Sequence, residues 1–284
     1  VKLSGYVDFM YKNVDDESSR HQKGFTTSAD TDFLFDFSPV TAELHTVLST
    51  GGVDLEQAFI RYNVNRDFNI SMGRQLTILG FEGDEAPNLY QVSNAYLITD
   101  DTANGGTKGM RRHYVDGIRG NFNNGRFGFS IGLHNNVFTG QDNTNDGNVG
   151  FDLQAAFMII PGLEARLGYA HDSDETVAPG SDDDIEQFNA WLAYNDRALT
   201  LAVEFDDWNI KNQDIWDVML MGNYQFNDFF GLTLRYSHED EDNGDESDRI
   251  TLYTSFTVTD NLSFGLEYSH SSVDVNGGGD YDVD

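Results

Sequence analysis

The chain has no cysteine, four prolines, and 17 lysines and arginines against 48 aspartates and glutamates in 284 residues. Without cysteine there is no disulfide, no thiolate zinc or iron–sulfur site and no cysteine nucleophile. The shortage of bases gives a net charge of −31. Nucleic acid is thereby excluded as a partner, because a polyanion is held by a basic face. No run approaches the ~18 consecutive apolar residues of a membrane-crossing helix. No signal peptide opens the chain either: Val1-Lys2-Leu3-Ser4-Gly5-Tyr6 already alternates, as expected of a mature form whose targeting segment has been removed.

What is abundant is aromatic side chains, 21 Phe and 13 Tyr, and glycine, at 28. That many aromatics oppose charge-driven disorder, and the expectation is one ordered domain over residues 1–284. Along most of it apolar residues recur at every second position, as in Phe127-Phe129-Ile131-Leu133, Leu163-Ala165-Leu167-Tyr169, Leu199-Leu201-Val203-Phe205 and Leu262-Phe264-Leu266-Tyr268. Gly, Ser, Thr, Asn, Gln and charged residues fill the gaps. This is the period of strands with one apolar and one wet face.

A soluble acidic β-sandwich also alternates. Strand length and connections argue against it. Segments such as Tyr114–Phe122, Ile185–Tyr194 and Leu262–Ser272 run to about ten residues, which suits a tilted crossing of a bilayer and exceeds the ~5–6 usual in soluble sheets. Tight connections (Ser38-Pro39, Asn65-Arg66-Asp67, Asn124-Gly125, Pro161-Gly162, Asn227-Asp228) alternate with long ones (Val14–Thr31, Gly80–Arg112, Phe138–Asn148, Asp172–Asp184, Glu239–Ser247, Val273–Asp280). Such sorting means two chemically different ends, with tight turns on the periplasmic side and long loops outside.

The predicted fold is therefore all-β, a closed antiparallel transmembrane barrel of about sixteen strands. Its last strand, Asp280-Tyr281-Asp282-Val283-Asp284, only begins its return, so the reading expects the native chain to continue past Asp284. Aromatics near predicted strand ends, among them Tyr11, Tyr62, Phe122, Tyr194, Trp208, Trp216, Tyr224 and Tyr268, read as girdles at the two membrane interfaces.

The runs Val53-Asp54-Leu55-Glu56-Gln57-Ala58-Phe59-Ile60-Arg61-Tyr62, Ile70–Glu82 (with Gly73-Arg74 and Gly80-Phe81-Glu82) and Asn88–Tyr96 resemble the outer-membrane β-barrel porin family of the OmpL-like type. The resemblance is specific over Val53–Tyr96 and elsewhere rests on barrel pattern. It implies a passive pore in the outer membrane of a Gram-negative-type bacterium, a third long loop folded into the lumen, and a homotrimer. It also implies a closing terminal Phe, which this sequence does not show.

The long segment Gly80–Arg112 carries Glu82, Asp84, Glu85, Asp100 and Asp101 beside apolar Leu89, Tyr90, Val92, Tyr96, Leu97 and Ile98. An exposed lid has no use for the apolar residues, so residues 80–112 are expected inside the barrel, as a constriction. If Ala58-Ile60-Tyr62 face lipid, Arg61 faces inward, and the same parity turns Arg119, Arg166 and Arg235 inward, with Asp8, Glu43, Asp152, Glu164, Glu204, Asp217 and Glu267. Arg74 breaks the parity of Ile70 and Met72 and joins the set by resemblance only. Arginines across from loop acids would select solutes by charge; the alternative is lumen salt bridges that satisfy their neighbours.

Most acids fall in the long connections. They read as a solvated surface, or as ligands for divalent cations shared with lipopolysaccharide phosphates, which with membrane lipid are the expected partners. No resident cofactor is expected. Asp142-Asn-Thr144-Asn-Asp146-Gly147 starts like a calcium loop but lacks the closing Glu. Three outgoing strands end alike, Leu167-Gly-Tyr169-Ala-His171, Leu234-Arg-Tyr236-Ser-His238 and Leu266-Glu-Tyr268-Ser-His270. Strands so far apart place those histidines beyond sharing one metal ion. Ser237-His238 and Ser269-His270 point to opposite faces, so no nucleophile and base pair results and no enzyme is expected. The expectation is a diffusion channel for small hydrophilic solutes or ions, biased toward cations; the alternatives are a plugged or scaffolding barrel and the soluble sandwich.

Overall fold

The computed structural model describes residues 1–16, 20–83, 89–97, 99, 113–138, 149–173, 184–210, 213–278 and 280–284. Sixteen strands follow one another: β1 Lys2–Asp16, β2 Arg20–Phe37, β3 Val40–Ser49, β4 Gly52–Asn63, β5 Phe68–Leu76, β6 Tyr114–Asn123, β7 Phe127–His134, β8 Gly150–Ile160, β9 Leu163–Ser173, β10 Asp184–Asp196, β11 Leu199–Ile210, β12 Gln213–Gln225, β13 Phe230–Glu241, β14 Glu246–Thr259, β15 Leu262–Asp274 and β16 Tyr281–Val283. Each pairs antiparallel with its sequence neighbour, and the order returns from β16 to β1. The seam is weak. β16 meets β15 over Val273↔Tyr281, Ser272↔Asp282 and Ser271↔Val283, and meets β1 at Asp16↔Val283. There Asp15 and Asp284 exchange two backbone hydrogen bonds of 3.0 Å. Among the described residues, Lys2–Val14 finds no ladder partner on that side, so the barrel is nearly but not fully closed.

Asparagines build several tight turns. Asn65 Oδ1 accepts from the backbone N–H of Asp67 and Phe68, Asn124 Oδ1 from Arg126 and Phe127, and Asn227 Oδ1 from Phe229 and Phe230. Each side chain takes the donors that a two-strand reversal leaves over. At the other end the strands reach farther than their composition suggests. The predicted loop Val14–Thr31 is mostly strand, with β1 and β2 in register from Lys2↔Leu34 to Asp16↔Arg20. Likewise β13 runs to Glu241 and β14 begins at Glu246. A ladder beyond the membrane needs backbone only, so charged side chains do not end it.

Burial is inverted relative to a soluble protein. Leu201, Phe129 and Phe264 are 47%, 46% and 51% exposed, whereas Glu204, Asp206 and Asp217 are fully buried. A sandwich would place these the other way round. The outward faces form a continuous apolar belt, and the polar faces meet inside, as in a barrel that crosses an outer membrane. Tyr11, Tyr62, Phe122, Trp216, Tyr224 and Tyr268 stand outward and exposed near strand ends. Trp208 corrects the girdle assignment: it shares the inward parity of Glu204 and Asp206, is 1% exposed and donates its indole N–H to Asp217 Oδ2 at 3.0 Å.

Val203 faces outward on β11, so Val203→Arg is expected to cost about 2–4 kcal/mol of stability in lipid. Ser4→Arg, on the inward parity of β1, should change it by no more than about 0.5 kcal/mol. Urea titration of vesicle-folded protein checks the pair.

Candidate functional site

The chain leaves β5 at Leu76 and returns to the wall at Tyr114. The first part of this connection lies inside the barrel. Its apolar residues meet the few inward-facing apolar residues of the wall. Leu79, with Ile78 against it, packs in a cluster with Val137, Phe138, Ala170, Ile185, Trp208, Ile210 and Ile215. Ala95, Tyr96, Phe81 and Tyr90 pack with Ala193, Ala202, Met219 and Met221. Leu79 occupies room left by a missing side chain: a Cβ on Gly168 would stand 2.9 Å from Leu79 Cγ. Without such partners, this stretch would expose apolar surface to a water-filled lumen.

A segment without regular structure must also place its backbone donors. Here the wall's carboxylates take them. Phe81 N–H donates to Glu204 at 2.7 Å, Val92 and Ser93 to Glu267 at 2.5 and 3.0 Å, and Leu97 and Thr99 to Glu239 at 2.5 and 2.9 Å. Gly80 N–H donates to Asn189 Oδ1 at 3.2 Å, and within the segment Ala95 N–H donates to Glu82 at 3.0 Å. A carboxylate accepts such bonds more strongly than the neutral amide of Asn189 does. Carbonyls are served by cations. Arg235 pairs with Glu82 and donates to Asn94 O at 2.6 Å, and Arg249 donates to the same oxygen at 2.7 Å. Ser237 donates its hydroxyl to Ala95 O. The segment is thus tied to an arc of wall from β9 to β15.

A polar pocket lies on the other side. A cavity of about 330 Å³ is lined by Gln57, Phe59 and Arg61 of β4, Asn69, Ser71 and Gln75 of β5, and Arg119 and Asn121 of β6, with Leu76 and Thr77. Each inward arginine here has an acid. Arg61 meets Glu43 at 3.0 Å; Arg119 meets Asp152 at 3.0 Å. The Arg119–Asp152 pair is buried with His134, whose Nε2 lies 3.1 Å from Asp152. This group lies over Gly132, where a Cβ would come within 2.3 Å of Asp152 Oδ1. Arg166 meets Glu164 at 2.6 Å and Gln154 at 2.9 Å, with its guanidinium 4.9 Å from the Trp191 ring. Next to the cavity, His45 stands between Asp32 at 2.7 Å and Glu43 at 3.2 Å, with Asp30 buried at 4% exposure on the same inner face.

Of the residues singled out from sequence, Glu82, Arg61, Arg119, Arg166 and Arg235 stand inside. Arg74 does not join them: it is registered with Ala58 and Asp116 on the outward parity and lies 3.6 Å from Asp116. Asp84, Glu85, Asp100 and Asp101 lie outside the described residues, as does the Asp142–Gly147 run. Sequence reasoning missed Glu239, Arg249, Asn189 and the Asp30–Asp32–His45 group. Glu239 was hidden in an acidic run read as loop; strand parity from Arg235 would have found it. Among the described residues the one group with metal-ligand spacing is outside the lumen, at His238, Glu246 and Asp248.

No family model matches the chain, and no curated protein matches it. Solved structures do. The outer membrane channel DcaP of Acinetobacter baumannii superposes with a TM-score of 0.68 at 12% identity, covering 99% of this chain and 94% of that one. OmpF of Salmonella typhi, solved with daunomycin, gives 0.66 at 14% identity, covering 99% and 95%. The anion-selective porin from Comamonas acidovorans gives 0.64 at 12% identity, covering 99% and 98%. At such identities the likeness concerns the fold, a sixteen-stranded barrel of the porin kind.

Two changes loosen the inner segment by different routes. Gly168→Val displaces Leu79, and Glu239→Gln with Glu267→Gln replaces charged acceptors by neutral ones. Limited proteolysis between Gly80 and Tyr96 should be faster in both than in the wild type; equal rates would mean the segment is not seated there.

Proposed function

We propose that the protein is an outer-membrane porin, a passive channel for small hydrophilic solutes and ions, in which the segment after β5 sets the constriction. The observation that carries this reading is that, among the described residues, apolar packing and charge-assisted hydrogen bonds hold the segment to one arc of the wall, beside a polar cavity along β4, β5 and β6. A plugged scaffold is disfavoured by that cavity. The porins that share the fold support the channel reading, and nothing in the described lumen resembles a nucleophile with its base.

The fold does not set the sign of selectivity, since one barrel with this architecture is anion-selective. The lining does. Arg61, Arg119, Arg166 and Arg235 each have a carboxylate partner, so they leave little positive field. Asp32 and Glu43 share His45 and Arg61 between them on the wall beside the cavity, and Asp30 stands buried on the same face, so carboxylates outnumber cations in this group. A water-filled neck walled by low-dielectric protein focuses such a field. This excess of carboxylates supports a bias toward cations. The Gly73-Arg74 and Gly80-Phe81-Glu82 runs support placement near OmpL-like porins, and a homotrimer is part of this reading, supported by a Vibrio cholerae outer membrane protein of the same fold solved in trimer form.

Planar bilayers with a salt gradient test it. The reversal potential should report cations as the more permeant species, and Asp30→Asn with Asp32→Asn should move it toward the unselective value. Arg61→Gln, which leaves Glu43 without its guanidinium, should move it the opposite way. Chloride preference in the wild type would overturn the selectivity; absence of any conductance by correctly folded protein would overturn the channel.

A further inference from the structure

The Leu-x-Tyr-x-His repeat has no part in the lumen. Its tyrosines and histidines share the outward parity of Leu167, Leu234 and Leu266, which are 55%, 50% and 66% exposed. They stand at the end of β9, β13 and β15 that faces the long connections, just beyond the apolar belt. In all three places the tyrosine hydroxyl donates to one carboxylate and the histidine Nδ1 meets the same oxygen. Tyr169 and His171 are 2.7 and 3.5 Å from Glu186 Oε1. Tyr236 and His238 are 2.5 and 3.1 Å from Asp248 Oδ1. Tyr268 and His270 are 3.0 and 2.8 Å from Asp284 Oδ1. A carboxylate that accepts the Nδ1–H of a neutral imidazole orients the ring and leaves Nε2 as a lone pair directed elsewhere, the arrangement that supports histidine as a metal ligand.

One of the three has more. His238 Nε2 faces Glu246 Oε1 at 3.7 Å. That is too long for a hydrogen bond, yet it suits two ligands of one ion, because bonds of about 2.0–2.2 Å from N and O meeting near the tetrahedral angle set their ligand atoms roughly 3.4 Å apart. Ligand atoms of His238, Glu246 and Asp248 all lie within 4.8 Å of one another. His238 is mostly covered, whereas the side chains of Glu246 and Asp248 are 48% and 49% exposed, so an ion would have a firm inner ligand and open positions toward solvent. Trp216 lies against His238 with ring centroids 4.9 Å apart. Among the described residues the other two triads lack a carboxylate facing Nε2.

We propose that His238 Nε2 and Glu246, with water completing the shell, bind a divalent transition-series cation on the outer rim of the barrel, while Asp248 holds the imidazole through Nδ1. An imidazole beside a carboxylate selects a zinc-like ion over calcium or magnesium, which take oxygen alone. The tyrosine–histidine–carboxylate repeat is the frame that holds the imidazole, and Glu246 converts one copy of it into a site.

The full chain, folded in detergent micelles, is titrated with Zn²⁺ by calorimetry and with Ni²⁺ by tryptophan emission. One ion per chain should bind, and Ni²⁺ should quench emission through Trp216. His238→Ala and the exposed Glu246→Gln should each weaken binding about tenfold or more, with heat-modifiable migration confirming that both variants fold. His171→Ala with His270→Ala should bind like the wild type. Trp216→Phe should lose the quench and keep the heat. Failure to saturate at millimolar Zn²⁺, equal heats from Mg²⁺, or undiminished binding in the two site variants would each overturn the proposal.

Discussion

Hydrocarbon offers no hydrogen bond, so every backbone N–H and C=O that crosses it has to find its partner within the protein. A sheet meets that demand only by closing, and closing commits each residue to one of two faces. Everything else in this chain is arranged around that commitment. Leu201 and Phe264 go outward and Glu204 and Asp217 inward, an order that would be ruinous in water. The one place where the demand is thinly met is the seam, where β16 pairs over three residues and touches β1 at its last one. Lys2–Val14 is the stretch of ladder that carries this cost.

The same accounting governs the segment inside the barrel. It has no ladder of its own, so its donors turn to Glu204, Glu239 and Glu267. Wall acids are consumed in holding the segment, and the arginines expected to select by charge are consumed in holding acids. In the proposed channel the field would come from what is left after pairing, around Asp30, Asp32 and His45. Small residues are part of the same construction. Gly168 makes room for Leu79, and Gly132 for the Arg119–Asp152–His134 group.

Much of the wall was legible in the sequence because a period of two is both the requirement and the signal. Parity alone turns Arg61, Arg119, Arg166 and Arg235 inward. It would have turned Trp208 inward too, had the indole not been read as an interfacial ring. Strand ends were less legible: Asp15, Asp16, Glu239 and Glu241 look like loop by composition, yet they extend ladders beyond the membrane, where charge is no obstacle. Pairings were not legible at all. That Glu267 holds Val92 and Ser93 depends on placing segments far apart in sequence, and that His238 and Tyr236 share Asp248 depends on the register of the β13–β14 hairpin; the period of two encodes neither. Arg74 shows the limit of likeness, since the run that suggested it for the lumen places it beside Asp116 on the opposite face.

A barrel whose interior is wet and whose exterior is greasy has one direct signature, and the absence of cysteine makes it accessible. Spin labels on single cysteines introduced along β6 and β7, at positions 118, 121, 129, 130 and 131, report collisions with oxygen dissolved in lipid and with a nickel chelate dissolved in water. The account predicts that labels at 118, 129 and 131 favour oxygen and labels at 121 and 130 favour the chelate, alternating residue by residue. Labels at 118, 129 and 131 shielded from both relaxants, as in a dry protein core, would contradict it.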